Sequence, residues 1–400
     1  MDERTAELGD DRTIGRRLRR IRTVRDKSLA VIAGLAGISE SHLSRLENGE
    51  RALDRLSLIV ALADALQIAP SELTSLPIPA PANGHTDSAI GAVRHALMAI
   101  NHGHGGGQAQ PVNVLRERVN ELVRAACRCE YEQVGAGLPG IMRDMYASIG
   151  VGRDVAELLD LAVLLHTQGT VAWLRTTGAP LDLCSQAAML AARAAEDRDT
   201  PTALGLATAS TARVMIVAGA FDLAQAELDS VTVPLTTPES MQLAGFRAMR
   251  QTVAAAADSR PGDMAAPLQY AAELAARTGE GNAFHLAFGP FNIGLYAMAG
   301  AIEMGDNGRA VSIAEGLSPD AADVSRQAYF WVDYGRALAH LRGRWEDAVR
   351  ALRRAELIYP HSVQRNPFAR EILAELLTRV KRDAVGRELR GMAYRAGLPV

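Results

Sequence analysis

The stretch Ile38-Ser39-Glu40-Ser41-His42-Leu43-Ser44-Arg45-Leu46-Glu47-Asn48-Gly49 carries the side chains best suited to reading a polar surface. Its apolar residues stand only at 38, 43 and 46, so a helix here has one narrow stripe to bury. Glu40, Ser41, Ser44 and Arg45 then face outward together. An arginine fork matches guanine O6 and N7, and a carboxylate accepts from cytosine N4. The major groove of a duplex is wide enough for one helix and carries a readable pattern of donors and acceptors. The competing reading is a solvated helix face, on which Glu40 simply favours the positive helix N-terminus.

The elements that must position this helix are legible around it. Thr13 is an N-cap residue type, and Ile14, Leu18 and Ile21, with Val24 or Arg25, keep a helical stripe behind it. Ser28 caps a second short helix over Leu29 to Ala36, which Gly37 ends through its tolerance of the left-handed conformation. Ser39 caps the third helix and Asn48-Gly49 closes it. A fourth runs from about Arg55 to Gln67 with Leu56, Ile59, Val60, Ala63 and Leu66 inward, and Pro70-Ser71-Glu72-Leu73 starts a last turn. This predicts a five-helix domain over 13–76. From Arg12 to Arg55 there are eleven Lys/Arg against five Asp/Glu, about +6, in a chain whose net charge is -3. A basic segment in an otherwise acidic chain points to a local anionic partner, most simply nucleic acid.

Residues 14–73 resemble the phage-repressor-like, or Xre, helix-turn-helix family of transcription regulators. The resemblance is carried by Leu18-Arg19-Arg20-Ile21-Arg22, Ser28, Ala33, Ala36-Gly37-Ile38-Ser39, Leu43-Ser44-Arg45-Leu46-Glu47-Asn48-Gly49 and Leu62-Ala63-Asp64-Ala65-Leu66. It implies base contacts from Glu40, Ser41 and Arg45, assisted by Ser44. It implies phosphate contacts from Asn48, from Arg51 and from Arg16 or Arg19, which set register and salt dependence rather than sequence reading. It also implies a structural ion pair between Arg22 and Glu47. One departure stands out: the family usually has glutamine after the serine that opens the second helix, where this chain has Leu29. Either Leu29 and Val31 extend the domain's core, or Leu29, Val31 and Leu35 dock on the rest of the chain or on a second subunit.

Beyond the basic domain, Pro77 to Pro81 and Asn101 to Gly107 read as spacer, so 77–111 is expected to be a linker with a possible short helix from Ser88 to Ile100. Residues 112–400 read as helical to the end. The chain is 48% hydrophobic and 4% aromatic, with its apolar mass in alanine and leucine, which suits packed helices rather than a sheet. Gly178, Gly219, Gly262, Gly305 and Gly343, separated by 41, 43, 43 and 38 residues, each fall between two helical segments. Such pairs cannot bury their apolar faces alone and must stack on their neighbours. The fold class is therefore all-α: a helix-turn-helix domain followed by an α-solenoid whose pairs resemble degenerate tetratricopeptide repeats. The whole layout is similar to regulators of actinobacterial type with a helical-repeat C-terminal half.

The three cysteines, Cys127, Cys129 and Cys184, have no metal or disulfide spacing and read as free thiols in a reducing cytosol. No signal peptide is recognisable, and no apolar run reaches a membrane span. No catalytic constellation, metal site or cofactor motif emerges. Phe288-Gly289-Pro290 is expected to kink a long helix. Tyr329, Trp331, Tyr334 and Trp345 are read as packing residues or as a ligand platform. These features predict a cytoplasmic, non-enzymatic regulator that binds a double-stranded DNA operator as a homodimer and takes a small molecule or peptide in its repeat groove. The alternative is a protein-interaction scaffold whose helix-turn-helix no longer reads DNA.

Overall fold

The computed structural model describes residues 11–75, 84–380 and 383–400. The N-terminal head consists of α1 (Ile14–Val24), α2 (Leu29–Leu35), α3 (Glu40–Glu47), α4 (Leu56–Leu66) and α5 (Pro70–Thr74). Local chemistry sets its boundaries. The hydroxyls of Thr13, Ser28 and Ser39 accept from the backbone N–H of Arg16, Val31 and His42 at 3.3, 3.2 and 3.2 Å. These caps satisfy donors that each helix start leaves open. Ile14, Leu18, Ile32, Leu43, Leu46, Ile59 and Leu62 then meet in one core.

The body begins with α6 (Gly84–Asn101). Of the segment expected as linker, Pro77 to Pro81 lie outside the described residues, and 84–101 is an 18-residue helix with Val93, Ala96 and Leu97 buried in the body's own core. There follow α7 (Val112–Cys127), α8 (Tyr131–Val151), α9 (Val155–Leu164), a π-helical stretch (Leu165–Val171) and α10 (Ala172–Thr176). Next come α11 (Leu181–Arg198), α12 (Pro201–Ala218), α13 (Phe221–Asp229), α14 (Pro238–Ala257), α15 (Ala265–Thr278), α16 (Pro290–Glu303), α17 (Asn307–Glu315), α18 (Val324–Ala339) and α19 (Trp345–Ile358). The chain ends with α20 (His361–Gln364), α21 (Pro367–Leu377) and α22 (Ala384–Arg395).

From α12 onward the helices alternate. The first helices α12, α14, α16, α18 and α21 pack successively on one another, and the second helices α13, α15 and α17 fill the gaps between them. The stack also closes on itself: α18 packs against α7, and Arg365, at the C-terminal end of α20, donates to the Thr177 carbonyl at 3.0 Å. Among the expected turn glycines, Gly178, Gly219, Gly305 and Gly343 have positive φ. Gly262 does not; the left-handed residue of that turn is Ser259 (φ 54), because a 3-10 turn over Pro261–Asp263 separates the two helices. Gly289-Pro290 does not kink a helix either. Pro290 is the first residue of α16, where its missing N–H costs nothing.

One helix, Pro201–Ala218, is 18 residues long at a mean hydropathy of 1.2, so the expectation that no segment meets membrane-span length was too strict. It packs between α11 and α13 as a body helix. All three cysteines are free, and burial pushes the Cys129 thiol up to about 12.

The head is seated on the body by carboxylates that finish its helices. Arg55 stands at the N-cap of α4 with no side-chain capping bond. Glu303, from the end of α16, supplies it, accepting from Leu56 N at 2.8 Å and Ser57 N at 3.4 Å. Glu371 of α21 accepts from Ile14 N and from Leu53 N, and Glu375 accepts from Ala52 N at 2.8 Å. Buried Asp54 meets Arg336, whose Nη2 donates to the Asp54 carbonyl at 2.6 Å, and His340 at 3.2 Å. Leu56 and Val60 complete the seat against Ala212, Ile216 and Ala254. Gly219 is doubly required here: its φ is +80, and an added Cβ would fall 2.9 Å from Val60.

This seat gives the protein a signed pH response. Burial pushes the carboxyls of Glu303 and Glu371 up to about 7. Burial alone would lower His340, but its hydrogen bond and charge interaction with Asp54 outweigh that and raise it. Groups with raised folded values contribute stability that is complete below their unfolded values and lost as pH rises through the folded ones. Asp54 runs the other way, held low by His340 and Arg336 against its burial, and loses its contribution only in strong acid. The unfolding midpoint is therefore expected to fall between about pH 5 and about pH 8, and the Glu303→Gln/Glu371→Gln variant to flatten that fall. An identical slope in the variant would refute this assignment.

Candidate nucleic-acid interface

Gly37 (φ +68) turns the chain between α2 and α3. α3 buries Leu43, Leu46 and Glu47 and leaves Glu40, Ser41 and Arg45 exposed, with Ser44 half-buried beside them. The seat on the body uses the start of α1 and the segment 52–60, so it does not cover this outward face.

The predicted base-reading residues share that face. Arg45 Nε donates to the Ser41 carbonyl at 3.2 Å. This fixes the stem and leaves the two terminal amino groups of the fork for an outside acceptor. The predicted phosphate residues surround them. Asn48 caps α3 at its C-terminal end; its amide donates to Ser44 Oγ at 3.4 Å and its oxygen accepts from Arg19 at 3.1 Å. Arg16 and Arg19 are exposed about one turn apart on α1, and Arg51 is exposed beyond the end of α3. The cations create a positive field: His42 is lowered by burial and then by Arg55, Arg45 and Arg51.

Arg22 and Glu47 form a bidentate pair, Nε to Oε1 at 2.6 Å and Nη2 to Oε2 at 2.8 Å. Arg22 also donates to the Lys27 carbonyl at 2.8 Å, so one side chain ties α1, the α1–α2 turn and α3 together. Glu47 is only 3% exposed, so the pair works as a brace rather than a contact surface. Other arginines of the basic segment are structural too. Arg17 holds the Ser75 carbonyl at 2.6 Å and Arg25 holds the Leu66 carbonyl at 2.5 Å.

Leu29 packs against the head's core, as expected, but Val31, expected there with it, is exposed. Docking of α2 on the body does not occur. Val31 and Leu35 are 49% and 68% exposed, because the body approaches from the opposite side, through the start of α1 and the loop before α4.

A family model described as a helix-turn-helix domain matches residues 13–76. These residues are a helix-turn-helix domain, the kind of module that binds DNA. No curated protein and no solved structure matches the chain.

Proposed function

We propose that this chain is a sequence-specific, cytoplasmic DNA-binding transcription regulator with no enzymatic activity. Its head is of the Xre type, and its stacked helix pairs form a tetratricopeptide-like body that senses a ligand and brings two chains together. The observation that carries the reading is the outward face of α3. Glu40, Ser41, Ser44 and Arg45 stand side by side, flanked by the Arg19–Asn48 pair and Arg51, on the side of the head the body leaves open. A helix placed this way enters the major groove with its outward residues on base edges and its flanking cations on phosphates. One short helix reads few base pairs, so a homodimer on paired half-sites supplies the remaining affinity.

The test is to incubate the purified chain with fragmented genomic DNA of its source and sequence what is retained. The expected result is enrichment of one shared motif with inverted half-sites. Recovery of fragments without a common motif would reject sequence-specific reading and leave the interaction scaffold as the better account.

A further inference from the structure

The closed stack lines a cavity of about 90 Å³ that opens to solvent. Four arginines line it: Arg175 of α10, Arg213 of α12, Arg250 of α14 and Arg326 of α18. Among the described residues, no aspartate or glutamate lines it. Elsewhere in the body, the buried arginines Arg336, Arg365 and Arg247 have carboxylate or several carbonyl partners. Arg336 meets Asp54 and Asp333, and Arg247 donates to the carbonyls of Gly205 and Val231. In the cavity none of the four meets a carboxylate of the described residues, and Arg326 donates to the Leu286 carbonyl at 3.3 Å. The Nε atoms of Arg213, Arg250 and Arg326 are buried with no hydrogen-bond partner. Arg250 instead lies over the rings of Phe246 and Tyr296, at 4.8 and 5.4 Å. Arg175 reaches only the Tyr329 hydroxyl, at 3.0 Å. Burial, and then Arg175 and Arg250, push Arg213 down to about 9. The four side chains are half-buried, and cations withdrawn from water with no counter-charge are costly unless a ligand supplies one.

We propose that this cavity is a binding site for a small organic anion, one carrying a carboxylate or phosphate group on an apolar body. Arginine forks bind both groups through paired N–H donors. Leu206, Phe246 and Leu286 also line the cavity and receive the apolar part. Of the four aromatics singled out in the sequence, Tyr329 faces this site, whereas Trp331 and Tyr334 pack with Phe330. The rim includes irregular backbone: the π-helical stretch contributes Thr167 and Gln168, and His285 is left-handed (φ 57). Such segments recur at ligand sites.

The site communicates with the head through shared helices. Arg213 and Ile216 lie on α12, Arg250 and Ala254 on α14, and Tyr329 and Arg336 on α18; the second residue of each pair touches the seat of the head. A ligand that draws the arginines together shifts the helices that hold the head.

This inference deepens the ligand-sensing half of the proposed function and does not depend on DNA reading, so its test contains no DNA. Thermal unfolding of the full chain is followed at constant ionic strength with inorganic phosphate, benzoate or phenyl phosphate replacing chloride. The expected result is a saturable rise in midpoint of several degrees with at least one of the organic anions. Benzoate against phenyl phosphate separates a carboxylate ligand from a phosphate one. Arg213→Met is expected to raise the midpoint of the ligand-free chain, because a half-buried charge with no counter-charge is gone, and to lose the anion response. Arg326→Gln provides a second variant should the first fail to fold, and it too is expected to lose the response. No saturable rise with any of the three anions, or a rise that survives in the folded variants, would overturn the proposal.

Discussion

Asp54→Ala is expected to destabilise the full chain by about 3–5 kcal/mol, the usual cost of stranding a buried charge. Asp54 is 2% exposed and Arg336 is 6% exposed, so water cannot replace the lost partner. Asp333, at 2.7 Å from Arg336, keeps one counter-charge in place, but it does not reach into the head. The loss therefore falls on the seat. Backbone amides of 52–57, now held by Glu303, Glu371 and Glu375, are expected to lose protection from hydrogen exchange together with α4. Chemical denaturation of wild type, Asp54→Ala, Arg336→Met and the double variant gives the coupling between the two residues. The double variant should lose less than the sum of the singles. A loss below about 1 kcal/mol for Asp54→Ala would mean that the ion pair does not hold the head.

The second large effect is inside the head. Arg22→Met leaves Glu47 buried beneath α1 with neither of its two donors. The expected cost is again about 3–5 kcal/mol. Hydrogen-exchange protection of α1 and α3 should fall by a factor on the order of 10²–10³, at about 1.4 kcal/mol per tenfold. DNA affinity should fall with it for every sequence and at every salt concentration, because the recognition helix loses its support rather than one base contact. Protection unchanged within threefold would show that the pair is dispensable.

Both predictions rest on residues of different legibility. The head could be read from sequence because its rules are local. Caps at Thr13, Ser28 and Ser39 and the turn at Gly37 act within a few residues, and the Arg22–Glu47 pair came from family resemblance. The outward set on α3 follows from three apolar positions in one short helix. The seat could not be read in this way. Glu303, Glu371 and Glu375 look like ordinary surface carboxylates until the stack delivers them to the head's backbone, hundreds of residues away in sequence. Gly262 misled because it keeps the repeat's spacing, while Pro261 puts a 3-10 turn there instead of a left-handed glycine. The helix at 84–101 is hard to read from sequence because Gly84 and Gly91 are poor helix formers, a glycine-rich loop follows it, and its buried stripe is narrow.

The arginine cavity had a signal that composition concealed. Arg175, Arg213, Arg250 and Arg326 are separated by 38, 37 and 76 residues, close to the repeat length and then twice that length. Three of these cations stand on the first helices α12, α14 and α18 at spacings set by the repeat, which points to one shared interior. It was masked by the many arginines that serve as surface partners, such as Arg128 with Glu121 and Glu130.

The central claim is that α3 reads bases, and Arg45 tests it most directly. The measurement is the affinity of wild type and Arg45→Ala for the enriched motif and for a scrambled duplex, each at two salt concentrations. The account predicts that Arg45→Ala loses about 1–3 kcal/mol per half-site on the motif, roughly 5- to 150-fold, and changes little on the scrambled duplex. Equal losses on both duplexes would make Arg45 a phosphate contact, and no loss on either would contradict the claim that this face of α3 reads DNA.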